Sequence, residues 1–286
     1  MTNASAECST EVAQAAEPFL RWAGGKRLLL QSILPKLPSF AAGGRYFEPF
    51  LGGGAVFFAL RPAHASLSDL NEKLIQTYRS VRDEPDAVIE VLSGLENSRD
   101  QYYRIRGWAP RVPAKRAARF IYLNKTCFNG LYRENLAGEF NVPYGRQAYE
   151  TLVCDREQLD AASEALQGAS LRSIDFVAAV REARRGDFVY FDPPYITGHQ
   201  NNGFVEYNAR VFSWADQHRL RAAAGRLIGR GVSVAISNSS HSSIRRLYAD
   251  EPGFRIHRLK RQSTMASRID QRFETSELLI VGEGAA

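Results

Sequence analysis

Cysteine is scarce: Cys8, Cys127 and Cys154 are the only three in 286 residues. An odd number spaced so widely is neither a disulfide framework nor a set of zinc ligands, and it fits a reducing cytoplasm with no resident metal. Long apolar runs are missing too, and nothing approaches the roughly 20 residues that a membrane span needs. Met1 to Glu17 lack the basic start and apolar block of a signal peptide, so a disordered tail is expected over 1–17. No internal repeat or low-complexity tract stands out. Acidic residues are outnumbered, 31 Asp and Glu against 37 Lys and Arg, which leaves a formal charge of +6. Such a surplus favours a polyanionic partner and does not by itself name one.

What is present is an alternation of short apolar runs with longer helical spacings, the pattern of a doubly wound α/β sheet. Strands are expected at Tyr46 to Phe50, Ala65 to Ser68, Phe188 to Phe191, Val232 to Ser237 and Leu278 to Val281. Helices are expected at Ala55 to Leu60, Glu72 to Arg82 and Trp214 to Ile228, the last stopped by Gly229 and Gly231. Between Asp83 and Tyr149 Arg, Tyr and Asn become frequent and Gly130, Gly138 and Gly145 punctuate the chain, which reads as an insertion. The expected division is therefore a catalytic unit over 18–82 and 150–286, with an inserted unit over 83–149.

The strongest motif is Phe188-Val-Tyr-Phe-Asp192-Pro193-Pro194-Tyr195. Proline has no N–H and cannot continue a ladder, so the strand must end there and project its acid beyond the carboxyl edge of the sheet, where open α/β sheets bind ligands. An aromatic amine is a poor nucleophile because its lone pair is delocalised into the ring. Acceptors on Asp192 and on the Pro193 carbonyl would hold both amine hydrogens and aim a pyramidal nitrogen at a donor, while Tyr195 offers a face for stacking. The competing reading is a sharp turn with no chemistry.

Tyr46-Phe-Glu48-Pro49-Phe50-Leu-Gly52-Gly53-Gly54 leads a strand through glycines into a helix, a place where backbone can approach a nucleotide-like ligand closely. The glycine spacing is not the dinucleotide fingerprint, and Asp69 ends the next strand 15 residues after Gly54. Asp69 fits a helix cap and a ribose contact equally well. Phe19-Leu-Arg-Trp22-Ala-Gly24-Gly25-Lys26 reads first as a turn with a solvated lysine and second as a lid whose ammonium reaches a carboxylate. In the insertion, Asn124-Lys125-Thr-Cys-Phe128-Asn129-Gly130-Leu-Tyr132-Arg133-Glu134-Asn135-Leu-Ala137-Gly138-Glu139-Phe140-Asn141-Val-Pro143-Tyr144-Gly145-Arg146 interleaves basic, amide and aromatic residues with turn glycines. That mixture suits phosphate contacts, base-edge hydrogen bonds and stacking, and also a solvated loop.

Together, from about Phe19 to Gly282, these segments resemble the Dam-type, alpha-group family of DNA adenine N6-methyltransferases. The resemblance implies a Rossmann-like S-adenosylmethionine-dependent methyltransferase sheet with an inserted, mainly helical target-recognition domain, double-stranded DNA as partner, and a flipped adenine as acceptor. It also implies no membrane and no obligate protein partner. Matching positions assign cofactor contacts to Trp22, Lys26, Glu48, Phe50, Gly52, Asp69, Asp175, Phe176 and Asp192, with Asp175 of Ser173-Ile-Asp175-Phe176 facing the cofactor's adenine. Catalysis falls to Asp192, Pro193 and Tyr195. DNA contacts fall to Lys125, Asn129, Arg133, Asn135, Asn141, Pro143, Tyr144 and Arg146, in a loop that members use to read a short palindrome, commonly GATC.

Some members carry an aromatic where this chain has Glu134 and a basic residue where it has Ala137. A carboxylate near phosphates is repelled unless paired, so either Arg133 or Lys125 neutralises Glu134 or the loop reads its bases differently. Cytosine-N4 enzymes usually begin the tetrapeptide with Ser and protein-amide enzymes with Asn, so Asp192 favours adenine. A DNA-binding protein with a vestigial fold has no chemical reason to keep Asp192, Tyr195, Lys26 and Asp69 together. Arg133→Ala is expected to weaken DNA binding and its salt dependence more than cofactor binding; titrations across salt concentrations check this, and equal loss of both ligands would indicate misfolding.

Overall fold

The apolar runs become the strands of one sheet in the computed structural model, which describes residues 16–39, 41, 43–145, 152–195, 212–249, 251, 253–262 and 274–284. The tail expected over 1–17 falls almost wholly outside the described residues. The strands are β1 (Tyr46–Glu48), β2 (Ala65–Asp69), β3 (Ser170–Ser173), β4 (Phe188–Phe191), β5 (Ser233–Ser239), β6 (Phe254–Gln262) and β7 (Glu274–Gly282). Their spatial order is β3-β2-β1-β4-β5-β7-β6. The first five pair in parallel, while β7 runs antiparallel between β5 and β6.

Helices cover both faces: α1 (Leu30–Ile33), α2 (Ala55–Leu60), α3 (Glu72–Asp83), α4 (Pro85–Ser93), α5 (Arg99–Gly107), α6 (Pro113–Thr126), α7 (Arg156–Leu166), α8 (Phe176–Ala179), α9 (Trp214–Gly229) and α10 (Ser242–Ala249). Their starts follow local chemistry. Asn71 caps α3 by accepting from Leu74 N at 3.0 Å, Pro85 opens α4 where an N–H is not required, and Ser213 with Asp216 closes a reciprocal cap on α9. Gly231 at φ 78° turns the chain out of α9, as its position after the helical spacing implies.

Alternation along each strand divides the core in two. Tyr46, Phe188, Tyr190, Ala235, Leu279 and Val281 join the side that carries α2 to α7. Phe47, Val189, Phe191, Val234, Ile236, Leu278 and Ile280 face α8, α9 and α10. Strands buried on both faces need continuous apolar sequence, which these runs supply. The strand expected to reach Phe50 stops at Glu48 because Pro49 breaks the ladder. The last strand starts four residues earlier than its apolar run, so β7 carries Glu277 inside the sheet. Among the described residues no helix is long and apolar enough to cross a membrane.

Segment 83–149 holds α4, α5, α6 and a hairpin closed by isolated bridges between Cys127 and Tyr144 and between Glu134 and Phe140. Ile280 is fully buried in the second half of β7, paired with Ile236 and Ile256. Ile280→Ala should destabilise the fold by about 2–5 kcal/mol through lost burial and the cavity left behind, read as a shifted urea midpoint with an unchanged slope.

Candidate active site

Five parallel strands deliver their last residues to one edge, and that edge collects the acids. Glu48 ends β1, Asp69 ends β2, Asp175 follows β3 and Asp192 follows β4. The lid segment closes over them. Lys26, with its side chain 3% exposed, places Nζ 2.7 Å from Asp192 Oδ1, 2.7 Å from the Gly24 carbonyl that accepts from it, and 4.8 Å from the centroid of the Tyr195 ring. The lysine is thus no solvated turn residue: its ammonium reaches the acid of the strongest motif. Trp22 packs against the glycine loop, where a Cβ on Gly52 would stand 2.7 Å from Trp22 Cδ1. Gly52 (φ 47°) and Gly54 (φ 68°) hold the left-handed turn into α2.

Burial sets the proton affinities. Glu48 is pushed up to about 8 by desolvation, opposed by the bond it accepts from Tyr46 OH at 2.8 Å. Asp192, 18% exposed, is raised to about 6 by burial, with Lys26 pulling the other way. Asp69 is raised by burial against the N–H donors of Asn71 (2.9 Å) and Gly52 (3.1 Å). The cap of α3 is Asn71, not Asp69, so that alternative is corrected; Asp69 instead ties the glycine loop to the end of β2. Asp175 caps α8 through Val177 N at 3.0 Å and pairs with Arg219 at 2.9 Å. Phe176 stacks on Phe50 with centroids 5.2 Å apart.

Glu277, absent from the sequence reading, completes the site. It accepts from Tyr195 OH at 2.7 Å and stands 3.8 Å from Lys26 Nζ. An acid directly before a four-residue apolar run was the available signal, but the run alone does not reveal that the strand begins earlier.

The hairpin lies to the other side of the lid. Trp22 stacks on Tyr132 at 5.8 Å and on Phe120 at 6.4 Å. Arg133 is exposed and donates to Asn141 at 2.8 Å. Asn135 closes the tip by accepting from Ala137 N and Glu139 N, leaving Leu136 fully exposed between them. Asn129, at φ 54°, and half-exposed Phe128 share one shoulder of the hairpin, and exposed Pro143 lies on the facing arm. Tyr144 donates to Asn97 at 3.1 Å. Arg146 lies outside the described residues. Lys125 is a correction: it is buried, its ammonium donates to Gln158 at 3.3 Å, and burial lowers its proton affinity, so it faces no phosphate. Glu134 is neutralised by neither Arg133 nor Lys125. Its partner is Lys73 of α3, at 2.7 Å, which also donates to Gly138 O, and Tyr132 OH bonds the same carboxylate.

A family model described as D12 class N6 adenine-specific DNA methyltransferase matches residues 22–265. The Type II methyltransferase M1.LlaDCHI of Lactococcus lactis subsp. cremoris is 40% identical over 277 residues, covering 93% of this chain and 95% of that protein. The Type II methyltransferase M.MjaIII of Methanocaldococcus jannaschii is 38% identical, covering 78% and 84%. The DNA adenine methylase of Serratia marcescens is 34% identical, covering 91% and 96%.

Because burial protonates Glu48, the folded chain holds a proton that the unfolded chain releases, and stability falls as pH rises from 4.5 to about 8. Glu48→Gln keeps an acceptor for Tyr46 and removes this contribution. The variant should lose much of the pH dependence and exceed the wild type in melting temperature above about pH 8. Melting curves in the two pH regimes test this; a difference that stays constant with pH contradicts it.

Proposed function

The chain belongs to the D12 class of N6 adenine-specific DNA methyltransferases, and we propose that it moves the methyl group of S-adenosyl-L-methionine to the N6 amine of an adenine turned out of duplex DNA. The observation that carries this reading is the meeting of Asp192 and Tyr195 with the buried Lys26 ammonium at the carboxyl edge of the sheet. Inside a base pair the N6 amine is bonded and stacked, so an enzyme that acts on it must extrude the base.

Asp192, with an affinity near 6, is mainly ionised at neutral pH and accepts one amine hydrogen. The Pro193 carbonyl accepts the other, since the two prolines leave that backbone outside the ladder. The pair withdraws the nitrogen lone pair from the ring and fixes its direction, which is orientational and electrostatic catalysis. Tyr195 presents its ring to the base and is held by its phenol on Glu277. Protonation of the acid below its pKa removes the acceptor, so the rate falls toward acid pH.

Trp22, Lys26, Glu48, Phe50, Gly52, Asp69, Asp175 and Phe176 fit an adenosine-bearing ligand: acids at successive strand ends, a glycine turn with Trp22 packed against it, and an aromatic pair at one end. When bound, the cofactor supplies a methyl group on positively charged sulfur. The ionised forms of Glu48 and Asp69, disfavoured by burial alone, are favoured by a cation at this edge.

Double-stranded DNA would meet the hairpin. Exposed Arg133 and Asn129, with Asn135, Asn141, Pro143, Tyr144 and Arg146, form the reading set; Lys125 is left out because its ammonium is buried. The Lys73 pairing makes Glu134 an anchor of the hairpin rather than a repulsive charge facing phosphates. A short palindrome is the proposed target, with GATC the first sequence to inspect.

Expressed in a methylation-deficient host, the wild type should place N6-methyladenine in one short motif, mapped at single-base resolution. Asp192→Ala should lower the rate by about 10²–10³-fold, and because it strips the buried Lys26 ammonium of its nearest counter-charge it should also lower the melting temperature while unfolding stays cooperative. Wild-type activity in that variant would remove the mechanism.

A further inference from the structure

Glu277 enters the site through the direction of its strand. β7 is antiparallel, so its early residues lie at the edge where the parallel strands end, and Glu277 pairs with Ser239, the last residue of β5. On the other side it pairs with Leu259 of β6. The residue is 5% exposed and precedes an unbroken apolar run, Leu278 to Val281. A buried carboxylate in such a place requires partners. Those described are the Tyr195 phenol at 2.7 Å and the Lys26 ammonium at 3.8 Å, an ion pair just beyond hydrogen-bond length.

Lys26 has three N–H donors. One goes to the Gly24 carbonyl and one to Asp192 Oδ1, each at 2.7 Å. An Asp192 oxygen engaged by an ammonium is a poorer acceptor for an incoming amine, yet a buried ammonium cannot be left without a counter-charge. The site therefore needs a second carboxylate within reach of Lys26 that does not contact the substrate. A shift of about 1 Å brings Lys26 Nζ to hydrogen-bond length from Glu277.

We propose that Glu277 is a positioning residue, which takes the Lys26 ammonium when Asp192 turns to the substrate amine and holds the Tyr195 ring in register through its phenol. The inference rests on the reading of Asp192 as the amine's acceptor. In the structure as it stands, the ammonium engages Oδ1, one of the two oxygens of the carboxylate that the amine will use. Binding of the base then exchanges one donor for another at Asp192, and no charge is stranded because Glu277 receives the lysine.

Among the described residues, the titratable and charged groups that face this cluster include Lys26 from the lid, Tyr46 and Glu48 on β1, and Tyr190, Asp192 and Tyr195 on and after β4. The negative charge of Glu277 raises the proton affinity of Asp192 and competes with it for Lys26. Removing that charge therefore lowers the pKa of Asp192. The acid limb of a rate-against-pH profile must move to lower pH, while Lys26, now bound to Asp192 alone, slows the plateau.

The experiment is single-turnover methylation of a duplex oligonucleotide at saturating S-adenosylmethionine across pH, for the wild type, Glu277→Gln, Lys26→Gln and the double variant, with affinities for DNA and cofactor measured alongside. Glu277→Gln keeps an acceptor for the Tyr195 phenol and loses only the charge. Its plateau should fall about tenfold with the acid limb displaced to lower pH and both affinities kept. On a Lys26→Gln background the same change should cost less than about twofold, because its effect acts through the lysine. An unchanged plateau, an unmoved limb with a uniform loss, or additive losses in the double variant would each overturn the proposal. Should Glu277→Gln not fold, Glu277→Asp keeps the charge but withdraws it by one methylene; it should displace the limb in the same direction by less, and no displacement would overturn the proposal. A wild type that methylates no DNA removes the reading of the active site itself; a methylating wild type with an indifferent Glu277→Gln removes this inference alone.

Discussion

A buried carboxylate needs a cation, and at the carboxyl edge of this sheet the cation comes from a segment that is not part of the sheet. The Lys26–Asp192 pair ties the lid to the end of β4 at 2.7 Å. Its placement has consequences along the whole segment. Trp22, four residues earlier, comes to rest on Gly52, and Arg21 exchanges backbone hydrogen bonds with the Asn124 side chain of α6, at 2.7 Å from its N–H and 2.6 Å to its carbonyl. One ion pair and one amide thus fasten the lid to both halves of the molecule. The desolvation of the two charges is offset by close pairing and by the Gly24 carbonyl, the condition under which a buried pair is tolerated.

The same segment explains why the glycine loop and the hairpin are not independent. Trp22 covers the loop with one part of its ring system and stacks toward Phe120 and Tyr132, which are themselves 5.0 Å apart. From the other side α3, whose N-terminus is set by Asn71 beside Asp69, sends Lys73 to Glu134 and Gly138 of the hairpin. A group bound at the ends of β1 and β2 and a duplex read by the hairpin would therefore share two mechanical supports, one aromatic and one ionic. Exposed ion pairs contribute little to stability, typically up to about 1 kcal/mol, so the Lys73 contact matters chiefly for where it holds the hairpin.

Most of this was legible where a local rule had no competitor. Asp192 before two prolines ends a strand whatever surrounds it, and the glycines after Glu48 announce a turn with positive φ. The limits of legibility are equally physical. β3, Ser-Leu-Arg-Ser, has one buried side chain and no alternation to detect, so only its pairing with β2 makes it a strand. α4 to α6 were implied as a helical insertion through family resemblance, while their individual spans follow from packing of α4 on α3, α6 and α7, of α6 on α3, and of α5 on α6. Lys125 illustrates the general difficulty: a lysine among Asn, Arg and Tyr reads as a phosphate ligand, and only the course of α6 turns it inward to Gln158. Partners separated widely in sequence, such as Lys73 and Glu134, leave no local trace.

Strand direction accounts for the part of the site that sequence spacing could not supply. A parallel sheet brings only strand ends to its active edge, so an acid there comes at or after the end of its strand, as Asp69 does at the end of β2 and Asp192 does after the apolar run of β4. An antiparallel strand inserted beside β5 reverses the rule and offers its beginning, which is how an acid that precedes an apolar run reaches the same edge. Lys26 and Glu277, near opposite ends of the described chain, then meet across Tyr195. Glu277 reaches this edge only through the pairing of β7 with β5, so its share of the electrostatics there depends on that pairing. In the complete sheet burial raises the proton affinity of Asp192 while the Lys26 ammonium holds it down, leaving it near 6.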